Sequence, residues 1–260
     1  MNRSRTSAGD PARTLSLLWR AGVPSRRGPR PKLDLDAVVA AAIALAGEQG
    51  LAAVTMRALA ARLGVSAMTL YGYVPGKDEL LDLMLDALYA GMERADWPEA
   101  LGWRERARAV AEANRELYAQ HPWAAAVSTA RPPLGPGLMA KYEHELAAFD
   151  GAGLGDVERD AALSFLLAFV QGAATAAADA AAAPGTDAQW WEAAGPLLAR
   201  AMDPERYPLA VRVGAAAGEA HGSAHDPGFA YAFGLERVLD GLAALVDGRS
   251  RARRGSSTGS

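Results

Sequence analysis

The segment VTMRALAARLGVSAMTLYGYVPGKDELL, at 54–81, limits what this chain can fold into more than any other. Thr55 has the side chain of a helix N-cap, and Leu59 and Leu63 follow it on one helical face, four residues apart. Gly64 stands where the chain must reverse, because glycine takes positive φ without strain. Val65 plugs the turn, Ser66 offers a second N-cap, and Leu70 and Val74 give the next helix its own apolar pair. Ala60 is small enough for two helices to cross at close range. A lone glycine between helices would describe an ordinary helical hairpin. Caps, turn glycine, small residue and apolar spacing together specify a helix-turn-helix, whose second helix is shaped to lie in the major groove of DNA.

The rest of the chain excludes several classes of function. Its 260 residues, half of them apolar, suit one or two domains with a sizeable core. There is no cysteine, hence no disulfide, cysteine-ligated zinc, iron–sulfur cluster or cysteine nucleophile. His121, His144, His221 and His225 are scattered, and neither a glycine-rich phosphate loop nor a G-x-S-x-G motif occurs. His221 and His225, beside Asp226, fit a solvated loop better than a metal site, since no helix fixes their geometry. No enzyme, cofactor or metal is expected. The N-terminal apolar run LSLLW is too short for a signal peptide, and no uninterrupted apolar run of membrane length occurs. The expectation is a cytoplasmic protein without a membrane span.

Charge is unevenly distributed. Residues 1–32 hold eight Arg or Lys against one Asp, and residues 248–260 hold four Arg and no acid, although the whole chain carries −3. The C-terminal run reads as a solvated tail. The N-terminal run ends in RRGPRPK, directly before the helix-turn-helix region, where Arg26, Arg27, Arg30 and Lys32 can attract DNA phosphates.

Periodicity predicts an all-α protein. A first helix starts after Asp34 and ends near Gly50, with Leu35, Val38, Val39, Ala42, Ile43 and Ala46 on one face. Helices follow at 56–63, 67–73 and 77–93, then at 102–119, 122–129, 137–149, 156–182, 187–201 and 227–247. Residues 1–25 are expected to be largely without order apart from a short apolar turn near Leu15, and 203–225 to form a loop. The division is a basic arm at 1–32, a DNA-binding domain at 33–76, a helical ligand-binding and dimerisation domain at 77–247 with 77–93 as connector, and a flexible tail at 248–260.

The run TMRALAARLGVSAMTLYGYVPGKDELLDLM resembles the N-terminal domain of TetR-type bacterial transcriptional regulators. The resemblance is strong from residue 26 to about 92 and weaker to the end, where FAYAFGLERVLDGLAALV resembles the last helix of the tetracycline-repressor-like C-terminal domain. It implies a three-helix domain on operator DNA and a helical domain that forms a homodimer and holds a small-molecule inducer. Ser66, Ala67, Met68 and Thr69 then open the reading helix, while Tyr71 and Tyr73 match positions that touch phosphate or sugar. Thr55 and Arg57 match positions that reach the backbone or, for Arg57, a guanine edge. Lys77 matches a phosphate contact, which its place at a helix N-terminus favours independently, since free N–H groups there attract an anion. Gly72 and Ala67 depart from the pattern, because relatives carry longer polar side chains there. Direct readout is thereby left to Arg57, Thr69 and apolar contact with thymine methyls.

For the ligand the expected lining is Asn114, Tyr118, His121, Trp123 and Met139, with Tyr142, Phe165, Phe169, Gln171, Trp190 and Trp191. Residues that bind tetracycline and magnesium in the tetracycline repressor have no match, so that ligand is not inferred. The sequence thus describes a ligand-responsive regulator, a repressor released from a palindromic operator. The alternatives are an activator or ligand-independent regulator of the same fold, or a helical small-molecule-binding or enzymatic domain that does not act on DNA.

Overall fold

The computed structural model describes residues 4–20, 33–94, 96–182 and 185–257, with side chains described as far as Arg249. Among these residues the secondary structure is helical apart from one isolated parallel bridge, Arg5 to Ser128. The helices are α1 (Pro11–Leu18), α2 (Leu35–Gln49), α3 (Met56–Leu63), α4 (Ala67–Tyr71), α5 (Lys77–Ala90), α6 (Trp103–Gln120), α7 (Pro122–Ala125), α8 (Pro136–Ala147), α9 (Asp156–Ala182), α10 (Asp187–Ala201), α11 (Pro208–His221) and α12 (Pro227–Ser257).

Local chemistry sets the ends of the first helices. Asp34 caps α2 by accepting from Ala37 N at 2.8 Å, and Thr55 caps α3 by accepting from Ala58 N at 3.1 Å. Gly64, at φ 65°, closes α3 in the left-handed conformation, with Val65 N returning to Ala60 O at 3.0 Å. Ser66 caps α4, accepting from Thr69 N at 3.1 Å.

Two hydrophobic cores result. The first joins Val39, Leu59, Leu70 and Met84 of α2–α5 to Leu117, Trp123 and Val127, and it also takes in Leu18 of α1. The second lies between α6, α9 and α12, around Phe149, Leu163, Leu166 and Leu239. Arg104 ties α6 to α12 through Glu236 and Asp240, at 3.0 and 2.7 Å.

Several expected features differ: α4 and α7 end early, at Tyr71 and Ala125, and three further differences are larger. Residues 4–20 are ordered and form a strap. Asp10 and Pro11 start α1, which packs on α5. Ser7 N donates to Asp82 Oδ1 of α5 at 2.9 Å, and Thr6 N and Ser128 N join the strap to the loop after α7. The loop expected at 203–225 contains α11, which has Pro208 in its first turn and ends at the left-handed Gly222. The last helix continues to Ser257, through most of the expected tail. The stretch of α9 is also long and apolar enough, by length and composition alone, to cross a membrane, which counting uninterrupted apolar runs does not register.

Candidate nucleic-acid interface and ligand cavity

Helices α3 and α4 present a compact surface whose cationic groups are in different states. Arg62 is held by Glu48 in a two-point pair, both bonds at 2.7 Å. Arg57, one and a half turns earlier on α3, is exposed and has no hydrogen bond or ion pair among the described residues. Its guanidinium keeps all its donors free for an acceptor outside the described residues. Met68 projects from α4 at 80% exposure, and Tyr71 is also exposed. Gly72 is exposed without a side chain, and Ala67 is half-buried against the first core.

Five of the expected DNA-facing side chains are already engaged, Thr55 and Ser66 as the helix caps described above and three others besides. Tyr73 donates its hydroxyl to Leu33 O at 3.0 Å, so it fastens α4 to the start of α2 and is not fully displayed. Thr69 Oγ1 lies 2.9 Å from Ser66 Oγ, so a base contact would compete with this pair. Lys77 Nζ donates to Leu51 O at 3.3 Å. That single bond leaves two ammonium protons at the α5 N-terminus, beside which no side chain caps the helix. Arg26, Arg27, Arg30 and Lys32 lie outside the described residues.

Helix α5 carries this surface toward the C-terminal helices, and its inner face holds three buried acids. Asp86 accepts from Gly137 N at 3.2 Å and Leu138 N at 2.8 Å, so α5 supplies the cap for α8. A β-carbon on Gly137 would lie 2.0 Å from Asp86 O, so the two helices can cross here only because that residue is glycine. Asp82 is fully buried, and its Oδ2 has no partner among the described residues. Burial pushes it up to about 6, aided by Glu79 and Asp78 and opposed by the Ser7 N–H. Glu79 completes the set.

Beside the α5–α8 crossing lies a cavity of about 450 Å³. Asn114, Tyr118, Met139, Tyr142 and Gln171, five of the residues named for the ligand, line it. Tyr89, Lys141, Asp160 and Leu134 also line it and are not among the expected residues. Lys141 and Glu145 form a buried ion pair at 2.6 Å, with the Lys141 ammonium 5.4 Å from the Tyr89 ring centre. Burial pulls the Lys141 pKa down, and Glu145 opposes the loss of its proton. Burial also pushes the Tyr118 phenol up to about 12. No sequence rule selects Lys141, since an i, i+4 Lys–Glu pair normally marks a solvated face.

The remaining expected lining residues sit elsewhere. His121 and Trp123 meet edge to face at 6.4 Å, with Trp123 in the first core. Phe169 stacks on Tyr231 at 5.6 Å in the notch left by Gly234, packing against the second core. Phe165 and Trp190 are 55% and 60% exposed on α9 and α10, and Trp191 lies against Gly218 of α11. Apart from His121, each is apolar at a helical spacing, and spacing cannot separate a cavity wall from a core or an outer face.

Two family models match. "Bacterial regulatory proteins, tetR family" covers residues 38–84, and "Tetracyclin repressor-like, C-terminal domain" covers 97–246. The chain is 41% identical over 257 residues to the HTH-type transcriptional repressor DrrR1 of Streptomyces coeruleorubidus, spanning 97% of this chain and 91% of that protein. It is 35% identical over 175 residues to an HTH-type transcriptional regulator of Saccharopolyspora erythraea, spanning 67% and 72%. Among solved structures, ActR of Streptomyces coelicolor in complex with actinorhodin is similar at TM-score 0.69 and 27% identity, with 82% of this chain and 96% of that one covered. ActR in complex with (S)-DNPA gives TM-score 0.68 at 27% identity, with 83% and 99% covered.

Proposed function

Because the chain belongs to the TetR family of bacterial regulatory proteins, we propose that it is a homodimeric repressor that a small molecule releases from its operator. The observation that carries this reading is Asp86. It sits on α5 and caps α8, so a ligand that displaces α8 acts on the helix whose other end bears Lys77 and follows the reading helix after a short loop. A ligand shifts such an equilibrium only through its different affinities for the two states.

In this reading Arg57, Thr55, Met68, Thr69 and Tyr71, with Ser66, Ala67 and Gly72 along the helix, meet DNA. Lys77 turns from Leu51 O to a phosphate, and Arg26, Arg27, Arg30 and Lys32 supply phosphate attraction from the arm. The cavity along Tyr118, Asn114, Lys141 and Gln171 holds the inducer. ActR, similar in fold, is known with actinorhodin and (S)-DNPA bound, which supports a small-molecule ligand here. The dimer uses the outward faces of α9 and α12, where Phe165, Phe229 and Phe233 are all more than half exposed. The DNA-binding and ligand-binding parts divide at α5, and the chain works in the cytoplasm, where its operator is, with no catalytic step.

The test is fluorescence anisotropy of a labelled fragment from the region upstream of its own gene, against a scrambled fragment, with light scattering on the free protein. Selective retention by a dimer is the expected result. Equal binding to both fragments, or a monomer at micromolar concentration, overturns the proposal.

A further inference from the structure

We infer that the cavity selects a ligand without a carboxylate that bears a hydroxyl or amide hydrogen and donates it to Asn114 Oδ1. The inference rests on the ligand-responsive reading above and names the chemistry of the same site.

Asn114 is 1% exposed on α6 and lines the cavity. Its amide nitrogen donates to Val110 O at 2.9 Å and to Glu145 Oε1 at 2.5 Å. Both partners are acceptors, so the amide cannot turn over, and Oδ1 is fixed on the opposite side. That oxygen is buried and has no partner among the described residues. An unfilled buried acceptor costs stability, and donation from the same amide to a carboxylate strengthens it as an acceptor. A donor arriving with the ligand would fill this position.

The ion pair beside it is already matched, whereas Asp160 at the rim carries a charge that no cation among the described residues offsets. Lys141 and Glu145 neutralise each other at 2.6 Å, and at the rim Asp160 accepts from the Tyr142 hydroxyl at 2.8 Å. A carboxylate on the ligand would meet Asn114 Oδ1 and Glu145 together, two acceptors with no free cation between them. An ammonium at Asn114 would have to take Glu145 from Lys141, and one at the rim could reach only Asp160. The other walls are Tyr89, Tyr118, Leu138 and Leu163, which suit an apolar, ring-containing body.

The probes are 9-phenanthrol, its methyl ether 9-methoxyphenanthrene, and phenanthrene-9-carboxylate. These three share one apolar frame and differ in the donor. Each is titrated calorimetrically into the intact protein and into Asn114→Leu, and operator binding by both proteins is measured without probe. The phenol should bind wild type at least about tenfold more tightly than either analogue, as sites built to pair a hydroxyl reject molecules lacking it. In Asn114→Leu the preference over the ether should vanish through a fall in phenol affinity. The wild-type comparison stands even if the variant fails to fold. Equal affinity for phenol and ether, tighter binding of the carboxylate, discrimination that survives in Asn114→Leu, or no binding of any probe up to its solubility overturns the inference. Failure of wild type to hold its own upstream DNA is read separately and overturns the regulator reading instead.

Discussion

The Trp19 indole N–H donates to the Leu134 carbonyl at 2.8 Å, joining residues 115 positions apart in sequence. Leu134 lines the cavity, and Trp19 ends the strap that reaches α5 through Ser7 and α2 through the Arg20–Asp36 pair. The cavity rim is therefore fastened from outside by the segment that precedes the DNA-binding region.

Trp19→Phe keeps the ring and removes this bond. Amide exchange at Leu134, Gly135, Gly137 and Leu138 should quicken by about tenfold or less, corresponding to about 1 kcal/mol of local stability, while α9 and α12 stay unchanged. Hydrogen exchange followed by mass spectrometry measures it. Unaltered exchange at the rim would show that the strap does not hold it.

Asp82 gives a pH dependence of definite sign. Its folded pKa of about 6 lies above the ordinary 3.8, so between those values the native state binds more protons than the unfolded chain. Stability on this account falls as pH rises from 3.8 to about 6, and the cost is complete above that range. Asp82→Asn retains an acceptor for Ser7 N–H and removes the buried charge. Urea unfolding should show a gain of about 1–3 kcal/mol near neutral pH that disappears in acid below the ordinary carboxylate range. A gain of the same size at both ends would show that ionisation is not its cause.

Gly137→Ala places a methyl against the Asp86 carbonyl and should cost about 1–3 kcal/mol by forcing α8 off α5. Gly47→Ala on α2 meets nothing within 4 Å and should be neutral or add up to about 1 kcal/mol through helix propensity. Thermal melts of the two variants separate a packing effect from a general intolerance of substitution. Gly137→Ala should also weaken operator binding, because the crossing sets the pose of α5.

Arg57 and the arm should act differently on DNA. Arg57→Ala should cost about 1–3 kcal/mol on operator and relax preference at one position per half-site. Replacing Arg26, Arg27, Arg30 and Lys32 by alanine should weaken operator and random DNA together. It should also reduce the salt slope by about one for each phosphate that the arm no longer neutralises. Titrations at several salt concentrations distinguish the two variants. Equal weakening of both DNAs by Arg57→Ala would make that residue a phosphate contact.

The helix-turn-helix is legible in the sequence because its signals are local. Thr55, Gly64 and Ser66 each act within four residues, and α3, α9 and α10 begin and end where their sequences predict. Helices α1 and α11 are not anticipated, although Asp10–Pro11 and Pro208 with Gly222 carry start and stop signals. The glycines and prolines of 203–225 suggest a loop, but its alanines favour helix and prevail. The cavity is legible only in part. Asn114 and Tyr118 stand out as polar groups on an apolar face, whereas Lys141 and Tyr89 acquire their roles only when α5, α6 and α8 meet. Tyr73 and Thr69 are exposed by helical spacing alone, and tertiary and capping bonds then claim their hydroxyls.

The first hydrophobic core contains both Leu70 from the reading helix and Trp123 from α7, with no gap between them. The DNA-reading head is consequently not a detachable module. A chimera cut after α5, with the head of one relative and the body of another, would present a mismatched surface around Trp123, Leu117 and Val127. Exchange of operator specificity between such chains, in evolution or in the laboratory, is therefore easier by replacing solvent-facing residues of α3 and α4 than by recombining whole heads.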